Sequence, residues 1–401
     1  MRTAPSRMRV YNDRTALDLM AGHGPMSRAT LEQLTGLSKP GVAELLNRLE
    51  RVALIERAGK RTGGPGPSAQ LWSIRAAAGH AAAVDVRKGE VSVVLCDLVG
   101  EELVRIEQQF DGRHPTDAVV DALAQARHAA GLADELTAVV VGVPGGIEPL
   151  TGRLLYTRRI PEWAGIDLVG HLRERIAGDV VVENDVNLIA LAEQGSAAAT
   201  VATDGGEAPT PDDSFALVWI DAVGLGAALV LDGELHHGVT GGAGEIDYIP
   251  FADAGAPEGA TLGAALSDHG ILELARIHGC PVEAGAEGRV VIAQAAASAD
   301  TASTAFLTDV ARRAAFAATV VHSVMDPRTT VLGGSVVAAG GEMLRGLIQA
   351  RIEQIQTPDR MTPLNLRVQR YGPDAVLVGG LRLALHNAQA TVFASGSVID
   401  G

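Results

Sequence analysis

The strongest constraint on this chain is the change in charge that follows residue 76. Residues 1–76 contain 12 Lys and Arg against 6 Asp and Glu, a net charge of +6, whereas the remainder contains 21 against 42, a net charge of −21. The whole chain carries −15. Lys and Arg must be concentrated where a protein meets the DNA backbone, so the acidic body is a poor partner for nucleic acid. The sequence therefore predicts two parts with different partners, of which the basic N-terminal part contacts DNA.

Composition limits the class of protein. The chain has 401 residues, of which 47% are hydrophobic, which supports two or three globular units rather than one core. No apolar run reaches the roughly 18 residues that span a bilayer, and no apolar segment follows the basic start MRTAPSRMRV. Cys96 and Cys280 lack the spacing of a disulfide scaffold or a metal site, so we expect both to be small core residues in a reducing compartment. These features predict a cytoplasmic protein that is neither exported nor anchored.

Residues 1–76 have the pattern of a winged helix-turn-helix. A helical pattern over 12–20 precedes a short second helix that begins at Ser27 and is broken by Gly36. Ser38 is a good N-cap for a third helix, with Pro40 in its first turn. Four apolar residues of this third helix recur at i, i+3, i+4 and i+7 and are predicted to face the core: Val42, Leu45, Leu46 and Leu49.

The opposite face of the third helix has the short and polar side chains that a recognition helix presents to base edges and phosphates. Two short strands follow, and the basic, Gly-rich run RAGKRTGGPGPS between them is typical of a wing that reaches phosphate or a minor groove. Any three-helix domain with an amphipathic last helix would give the same periodicity, but the basic charge and the wing favour DNA. The predicted DNA-binding residues are Ser38, Lys39, Pro40, Gly41, Glu44, Asn47 and Arg48 in the helix, and Lys60 and Arg61 in the wing.

From residue 81 the pattern becomes α/β. Three strands with a turn at Lys88-Gly89 precede a helix over 117–129, and the buried strands TAVVVGVPGG and DVVVEND follow, with the helix HLRERI between them. A second set contains FALVWIDAVGLGAALVLDGEL, a long helical stretch over 260–325, the strand TTVLGGSV, another helix, and AVLVGG before a C-terminal helix. This order predicts two similar α/β halves around a cleft.

Four motifs, in this order, resemble the ROK family of sugar kinases and sugar-responsive transcriptional repressors: GVPGGIEPLTGRLLYTRRIPEWAGIDL, ENDVNLIALAEQGS, GLGAALVLDGELHHGVTGGAGEIDY and TTVLGGSVVAAG. LTGLSKPGVAELLNRLERVALIERAG also resembles the winged helix of the repressor branch. The resemblance implies an α/β chain with an N-terminal winged helix-turn-helix and a two-lobed, actin-like (ribonuclease-H-type) ATPase fold that assembles as a homodimer or homotetramer. The predicted domains are 1–76, a first lobe of 77–187 completed by 375–401, and a second lobe of 188–374.

The resemblance also implies the ligand-binding residues. Asp185 lies where the kinases have their catalytic base, and Glu245 lies where they have an acceptor for a sugar hydroxyl. An alternative is that Asp185 caps a helix that begins near Asn187. Arg159 lies beside the family's sugar-binding turn, where it is either a fork for phosphate or carboxylate or an exposed loop residue. The predicted set is Gly145, Arg159, Asn184, Asp185, Glu245 and Tyr248.

The phosphate-binding and zinc-binding residues of the family are replaced. Arg87 and Lys88 occupy a turn where the kinases have glycines, which permit close backbone approach, and Val223 replaces a Thr of the second phosphate loop. Tyr248 replaces the His that zinc positions, and no cysteine occurs in FADAGAPEGATLGAALS. A sugar-binding Glu of the kinases is Gly263 here.

These replacements predict no catalytic residue, metal or cofactor. His236 and His237 have no acidic or thiolate residues at ligand spacing and are predicted to be surface residues.

The sequence and the resemblance together predict a sequence-specific DNA-binding transcriptional regulator, a repressor of sugar metabolism genes. Its expected partners are operator DNA and a sugar or sugar-phosphate effector. Two other functions fit some of the same residues. An active sugar kinase with an appended DNA reader is supported by Asp185. A ligand-independent regulator with a degenerate cleft is supported by the loss of the family's His and Glu.

Overall fold

The computed structural model describes residues 7–61, 69–110, 114–157, 160–199, 214–222, 224–252, 259–298, 300–355 and 364–398. The chain divides into two compact units. The first contains Met1–Gly142, Leu168–Val182 and Gly380–Gly401, and the second contains Val143–Asp167 and Glu183–Gly379. The segment 143–167 therefore belongs with the second unit, whereas the predicted first lobe included it; the three predicted domains remain a prediction. No helix in the described ranges is both long and apolar enough to cross a membrane.

The N-terminal part of the first unit is a three-helix domain with a small sheet. Its elements are α1 Arg7–His23, β1 Met26–Ser27, α2 Arg28–Thr35, α3 Lys39–Arg51, β2 Ile55–Arg61 and β3 Ala69–Ile74. The strands are ordered β1-β3-β2, and β3 is antiparallel to both neighbours. This is the predicted winged helix-turn-helix arrangement, and the tip of the wing, 62–68, lies outside the described residues.

The helix boundaries in this domain follow from capping residues. The Ser27 hydroxyl accepts the N–H of Thr30 at 3.1 Å, which satisfies one of the donors left unpaired at the start of α2. Gly36 ends α2 in the left-handed conformation, at a φ of 69°. Ser38 caps α3 in the same way as Ser27 caps α2. The four predicted core residues of α3 are all buried: Val42, Leu45, Leu46 and Leu49.

A largely buried ion pair lies inside this domain. The Arg48 guanidinium on α3 contacts the Asp13 carboxylate on α1, with an Nη2–Oδ1 distance of 2.5 Å and an Nε–Oδ2 distance of 3.2 Å. The Asp13 side chain is 6% exposed and the Arg48 side chain 14% exposed. This bidentate contact joins α1 to α3, the predicted recognition helix. Elsewhere on α1, Arg14 lies over the Phe393 ring, 5.3 Å from its centroid.

The rest of the first unit is built around a five-stranded sheet. Its strands are β4 His80–Arg87, β5 Glu90–Asp97, β6 Glu102–Gln109, β7 Ala138–Val143 and β10 Asp179–Asn184, in the order β10-β7-β4-β5-β6. Strands β4, β5 and β6 form an antiparallel meander, and β7 is parallel to β4. The helices are α4 Pro115–Ala129 and α5 Leu168–Arg173. Cys96 is buried in this sheet, as predicted, and burial raises the pKa of its thiol to about 12.

The second unit has another five-stranded sheet. Its strands are β11 Phe215–Asp221, β12 Gly224–Leu231, β13 Glu234–Leu235, β14 Thr329–Gly333 and β15 Asn365–Val368, in the order β13-β12-β11-β14-β15. Its helices are α6 Asp185–Ala199, α7 Leu262–Leu266, α8 Asp268–Ile277, α9 Gly288–Ala297, α10 Thr301–Met325 and α11 Ser335–Ile355. The hairpin β8 Gly146–Ile147 and β9 Leu154–Tyr156 is separate from the sheet. The last helix, α12, is Ala375–Val398.

The two large sheets have the same strand order. In each, three antiparallel strands are followed by a fourth that pairs with the first of the three and runs parallel to it, and then by a fifth beside the fourth. This repeated topology is the predicted pair of similar α/β halves.

Two C-terminal elements differ from the prediction. AVLVGG begins α12 instead of preceding a helix, and β15 was not predicted. A short apolar run is ambiguous by periodicity, because four or five buried residues suit either a strand or one turn of a buried helix. Strand β15 has the partly polar sequence NLRV and is an edge strand that depends on β14 for pairing.

The buried ion pair of the winged helix has a measurable consequence. Replacing Asp13 with Ala leaves the Arg48 charge largely buried without its main partner, so we expect the domain to lose about 3–5 kcal/mol of opening free energy. Amide hydrogen exchange across α1 and α3 in the full chain measures this loss.

The matched control is Asp18→Ala on the same helix. It breaks the exposed Arg14–Asp18 pair, whose side chains are 37% and 50% exposed, and should cost less than about 1 kcal/mol. Equal protection in the two variants would contradict a structural role for the Asp13–Arg48 pair.

Candidate functional site

A pocket of about 120 Å³ lies in the second unit. One water needs roughly 10–15 Å³ by the same measure, so the pocket has room for a ligand of many atoms. It is bordered by the start of α6, the start of β12 and a glycine-rich loop before α7. The lining residues are Pro144, Gly145, Asn184, Asp185, Val186, Asn187, Trp219, Gly224, Leu225, Gly226, Ala227, Gly241, Ala243, Gly244, Glu245, Asp247 and Tyr248. The structure thus brings together five of the six predicted ligand-binding residues; Arg159 and its neighbour Arg158 lie outside the described residues.

Asn184 holds the first wall of the pocket. Its Oδ1 accepts the N–H groups of Val186 at 2.8 Å and Asn187 at 3.2 Å, and its Nδ2 donates to the Gly145 carbonyl at 3.0 Å. Asn184 is therefore the capping residue of α6, and the helix begins at Asp185 rather than near Asn187. The capping alternative for Asp185 is corrected accordingly. Asp185 lies in the first turn, where the helix dipole favours a negative charge, and its Oδ1 accepts the Val186 N–H at 2.9 Å.

The loop that carries Glu245 approaches neighbouring backbone closely at two glycines. A Cβ on Gly241 would lie 2.0 Å from the Ile147 carbonyl oxygen, and a Cβ on Gly244 would lie 1.9 Å from that of Ala227. Both glycines have positive φ, 78° and 88°. Only glycine fits either position, so the loop is fixed against β8 and β12. Glu245 and Tyr248 project from this fixed loop into the lining, with Tyr248 48% exposed.

The lining residues that were not predicted include Trp219 and Asp247. Trp219 lies on β11, and a Cβ on Gly333 of the adjacent β14 would be 2.8 Å from its ring. Asp247 lies in the 3₁₀ turn Ile246–Tyr248 and is 6% exposed. A buried carboxylate beside a Gly-rich loop could have been suspected from the pattern GEIDY, but its partners lie on segments far along the chain.

His237, predicted to be a surface residue with no acidic residue at ligand spacing, is half-buried and has an acidic partner distant in the sequence. Its Nε2 lies 2.7 Å from Glu183 Oε2, and the other oxygen of Glu183 accepts from Asn184 N and Asn187 Nδ2, both at 2.8 Å. The two residues are 54 positions apart, so spacing in the sequence gave no indication of this pair. Glu183 thereby links the loop that begins at His237 to the start of α6. His236 is exposed, as predicted.

The Glu183 hydrogen bond raises the pKa of the His237 imidazole above its ordinary value of 6.5, and partial burial lowers it by a smaller amount. Coulombic attraction to Glu183 acts in the same direction as the hydrogen bond.

Charged side chains lie beside the two turns that resemble the phosphate loops of the kinases. At the end of β11, the Asp221 carboxylate accepts the Ala222 N–H at 2.8 Å and the hydroxyl of Ser335, the first residue of α11. In the first unit, buried Asp85 pairs with Arg87, with an Oδ2–Nη2 distance of 2.7 Å. Val223 lies outside the described residues. The Asp221 carboxylate, held at the start of α11, opposes phosphate binding there.

The predicted DNA-binding residues are placed as follows. Ser38, Lys39, Pro40, Glu44, Asn47 and Lys60 are exposed, and Gly41 is half-buried. Arg48 is held by Asp13 within the domain, as described above. Arg61 is the last residue of β2, and its side chain is outside the described part of the structure.

In the described ranges no group of three or more His, Cys, Asp or Glu side chains is arranged to hold a metal. The kinases of the family carry their zinc in the segment that corresponds to FADAGAPEGATLGAALS. Residues 253–258 of that segment lie outside the described ranges, so the absence of zinc stays a prediction.

Comparison with known proteins gives the same fold. The sequence profile of the ROK family matches residues 81–387. The chain is 28% identical over 320 residues to a glucokinase of Halalkalibacterium halodurans, an alignment that covers 74% of this chain and 92% of the glucokinase. It is 24% identical over 245 residues to the xylose repressor of Bacillus subtilis, covering 59% of this chain and 60% of the repressor. The chain belongs to the ROK family.

Solved structures extend the match to the N-terminal part. A ROK family transcriptional regulator described as a homologue of the E. coli MLC protein superposes with a TM-score of 0.74 at 21% identity, covering 98% of this chain and 99% of that one. A ROK hexokinase of Thermus thermophilus superposes with a TM-score of 0.60 at 20% identity, covering 76% and 97%. The predicted fold class is confirmed: an N-terminal helix-turn-helix followed by an actin-like body. Regulators and sugar kinases are both relatives of this chain.

The His237 contact predicts a pH dependence of stability. A raised folded-state pKa contributes stability that is fully present below the unfolded value of about 6.5 and is lost as the pH rises through the folded value. Between roughly pH 6 and pH 9, the unfolding free energy of the wild type should therefore fall more than that of His237→Gln. The side chain is 42% exposed and screened by water, so the difference should stay below about 1 kcal/mol.

Urea unfolding at low salt across this pH range measures the effect, with His236→Gln as the matched control. If His237→Gln and His236→Gln retain the same pH dependence as the wild type, the pair with Glu183 does not form in solution.

Proposed function

We propose that this chain is a sequence-specific DNA-binding transcriptional regulator controlled by a sugar or sugar derivative bound in the pocket of the second unit. The observation that carries the proposal is the combination, in one chain, of an exposed recognition helix and a pocket lined by carboxylates that can accept hydrogen bonds from hydroxyl groups. The residues that resemble the phosphate loops of the kinases are replaced in the same chain.

The DNA-binding proposal rests on the charge and exposure of the winged helix. Lys39 begins α3 in an exposed position, and Lys60 is exposed near the end of β2, beside the wing. The segment 1–76 has a net charge of +6 within a chain of −15. Exposed Lys and Arg neutralise phosphates, and the short polar face of α3 suits the major groove. Arg48 instead fixes α3 on α1, and its contribution to DNA binding is the orientation of that helix.

The effector proposal rests on paired acceptors. Carboxylates accept hydrogen bonds from sugar hydroxyls, and Asp185 and Glu245 present such groups from a helix start and a glycine-fixed loop. Tyr248 and Trp219 add the aromatic surface on which the apolar face of a sugar packs. Rigid placement matters because a buried acceptor left without its donor costs about 1–3 kcal/mol.

Asp221 argues against phosphoryl transfer. Phosphate binding at a helix N-terminus needs free N–H donors and a favourable potential. Here a carboxylate bonded to Ser335 lies at the start of α11, and Arg87 is paired with Asp85 in the first unit. A phosphate group at the start of α11 would have to displace the Ser335 contact and face the Asp221 charge. The kinase alternative keeps one supporting residue, Asp185, which lies at the position of the family's base.

Regulation requires only that the effector bind the DNA-competent and DNA-incompetent states unequally, and a difference of a few kcal/mol is enough. Release of DNA by the effector makes the protein a repressor. A homodimer or homotetramer would place two winged helices on one operator, as half-site recognition requires.

The regulator proposal predicts that DNA binding and effector response separate by mutation. Asp185→Asn and Glu245→Ala should bind an operator selected from random DNA as the wild type does, but should not release it on addition of the sugar, because a ligand hydroxyl loses its acceptor. Lys39→Ala should weaken operator binding with or without sugar and reduce the salt dependence. Mobility-shift titrations, with the sugar chosen by a thermal-shift screen, measure both properties.

The control is Glu273→Gln, an exposed carboxylate on α8 away from the pocket lining, which should behave as the wild type in both titrations. Release of DNA by both pocket variants at the wild-type sugar concentration would place the effector elsewhere.

The proposal also predicts negligible sugar kinase activity. A coupled assay of ADP release should stay far below the ordinary enzyme turnover of about 1 per second or more, because the phosphate-binding groups are replaced. The Halalkalibacterium halodurans glucokinase is a suitable positive control. Sugar-dependent turnover at ordinary rates would favour the kinase with an appended DNA reader.

A further inference from the structure

Asp247 is the most buried of the three carboxylates that line the pocket. It lies one residue from Tyr248 and two from Glu245, in the turn at the end of the glycine-rich loop. Its side chain faces the start of β12, where Oδ1 accepts the Leu225 N–H at 3.3 Å. Gly224 and Leu225 also line the pocket, so this carboxylate is held at the pocket wall by backbone of the second sheet.

Two glycines make the space that this carboxylate occupies. A Cβ on Gly263, in α7, would lie 1.6 Å from Asp247 Oδ1, and a Cβ on Gly224 would lie 3.6 Å from the same oxygen. The first distance is an overlap, so no side chain at position 263 can coexist with Asp247 in this position. Asp247 and Gly263 are therefore a matched pair. The Asp247 carboxylate, which comes from the 3₁₀ turn, fills the space that a side chain at position 263 of α7 would otherwise occupy.

The pocket is acidic throughout its described lining. Asp185, Glu245 and Asp247 contribute carboxylates, and no Lys, Arg or His is among the residues of the described chain that form the wall. A ligand hydroxyl can donate to any of these oxygens. A phosphate ester carries about two negative charges at neutral pH and would have to lose water next to like charges, with no described side chain to pair with it.

We propose that Asp247 is a ligand-contacting, specificity-determining residue that, with Asp185 and Glu245, makes the pocket select an unphosphorylated polyhydroxylated ligand over its phosphate ester. The inference rests on the proposed function, because it names the chemical class of the effector in the same pocket. Asp247 accepts a ligand hydroxyl and repels an anionic group, so one residue supplies both the attraction and the rejection on which specificity depends.

The probes are D-glucose and N-acetyl-D-glucosamine, each compared with its 6-phosphate, and D-xylose. Titrations of the melting temperature of the full chain give an apparent Kd for each probe. At least one free sugar should bind at least about 10-fold more tightly than any of the phosphate esters.

The variants test Asp247 itself. Asp247→Asn keeps an oxygen to accept the Leu225 N–H but removes the charge, and should weaken binding of the free sugar by about 10- to 100-fold, as expected for loss of a hydrogen bond to a charged group. It should also reduce the ratio of the apparent Kd of the phosphate ester to that of the free sugar. Glu273→Gln, away from the pocket, should change neither the affinity for the free sugar nor the selectivity against its phosphate ester.

A double variant guards against misfolding as the explanation. Asp247→Gly/Gly263→Glu returns a carboxylate to the same space from the opposite segment and should recover much of the preference for the free sugar that Asp247→Gly loses. Unliganded melting temperatures and operator binding establish that the variants are folded.

The possible results separate the two proposals. Tighter binding of a phosphate ester than of its free sugar by the wild type would overturn the role of Asp247 while leaving a sugar-responsive regulator intact. Unchanged affinity and selectivity in folded Asp247→Asn, or no recovery in the double variant, would also overturn it. If no probe of either kind binds, the sugar-responsive function itself fails, and the inference fails with it.

Discussion

The candidate site depends on the hydrogen bonds of Asn184. Its amide oxygen caps α6 and its amide nitrogen donates to the Gly145 carbonyl, so one side chain joins the end of β10 and the start of α6 to the segment that contains Gly145. The backbone of Asp185, the next residue and the first of α6, is thereby fixed in position. Glu183, the preceding residue, extends the network to His237 and the loop that ends at Glu245. Three consecutive residues thus set the geometry of the pocket.

The two halves of a kinase-like site have separate physical requirements in this chain. In the proposed function the sugar half needs rigid acceptors, which Asp185 and Glu245 would supply, the latter from a loop fixed by the close backbone contact of Gly244. Phosphate binding needs unobstructed backbone donors, whereas Asp221 in the second unit and Arg87 in the first each form a side-chain contact within their own unit. Binding without phosphoryl transfer is the combination that a ligand-responsive regulator requires, because the ligand must remain unchanged to set an equilibrium.

Much of the fold and part of the site could be predicted because they depend on local chemistry. The cap at Ser38 and the break at Gly36 follow from hydrogen-bonding capacity and backbone freedom, and the burial of the apolar face of α3 follows from periodicity. AVLVGG was placed before the last helix, and β15 was missed, because neither short run carries a period that separates strand from helix. Five of the six predicted ligand-binding residues line the described pocket, whereas their roles and that of Arg159 remain predictions.

The sequence by itself determined most of the elements, the charge division at residue 76 and the family, since these depend on neighbouring residues and on motif order. Only the tertiary structure decided which charges meet. Arg48 was predicted to face DNA but contacts Asp13, 35 residues away; His237 meets Glu183 across 54 residues; and Asp221 meets Ser335 across 114. The position of Asp247 against Gly263 is of the same kind. Such contacts depend on how distant segments pack, and a charged side chain responds to whichever partner that packing places within a few ångströms, which spacing along the chain does not encode.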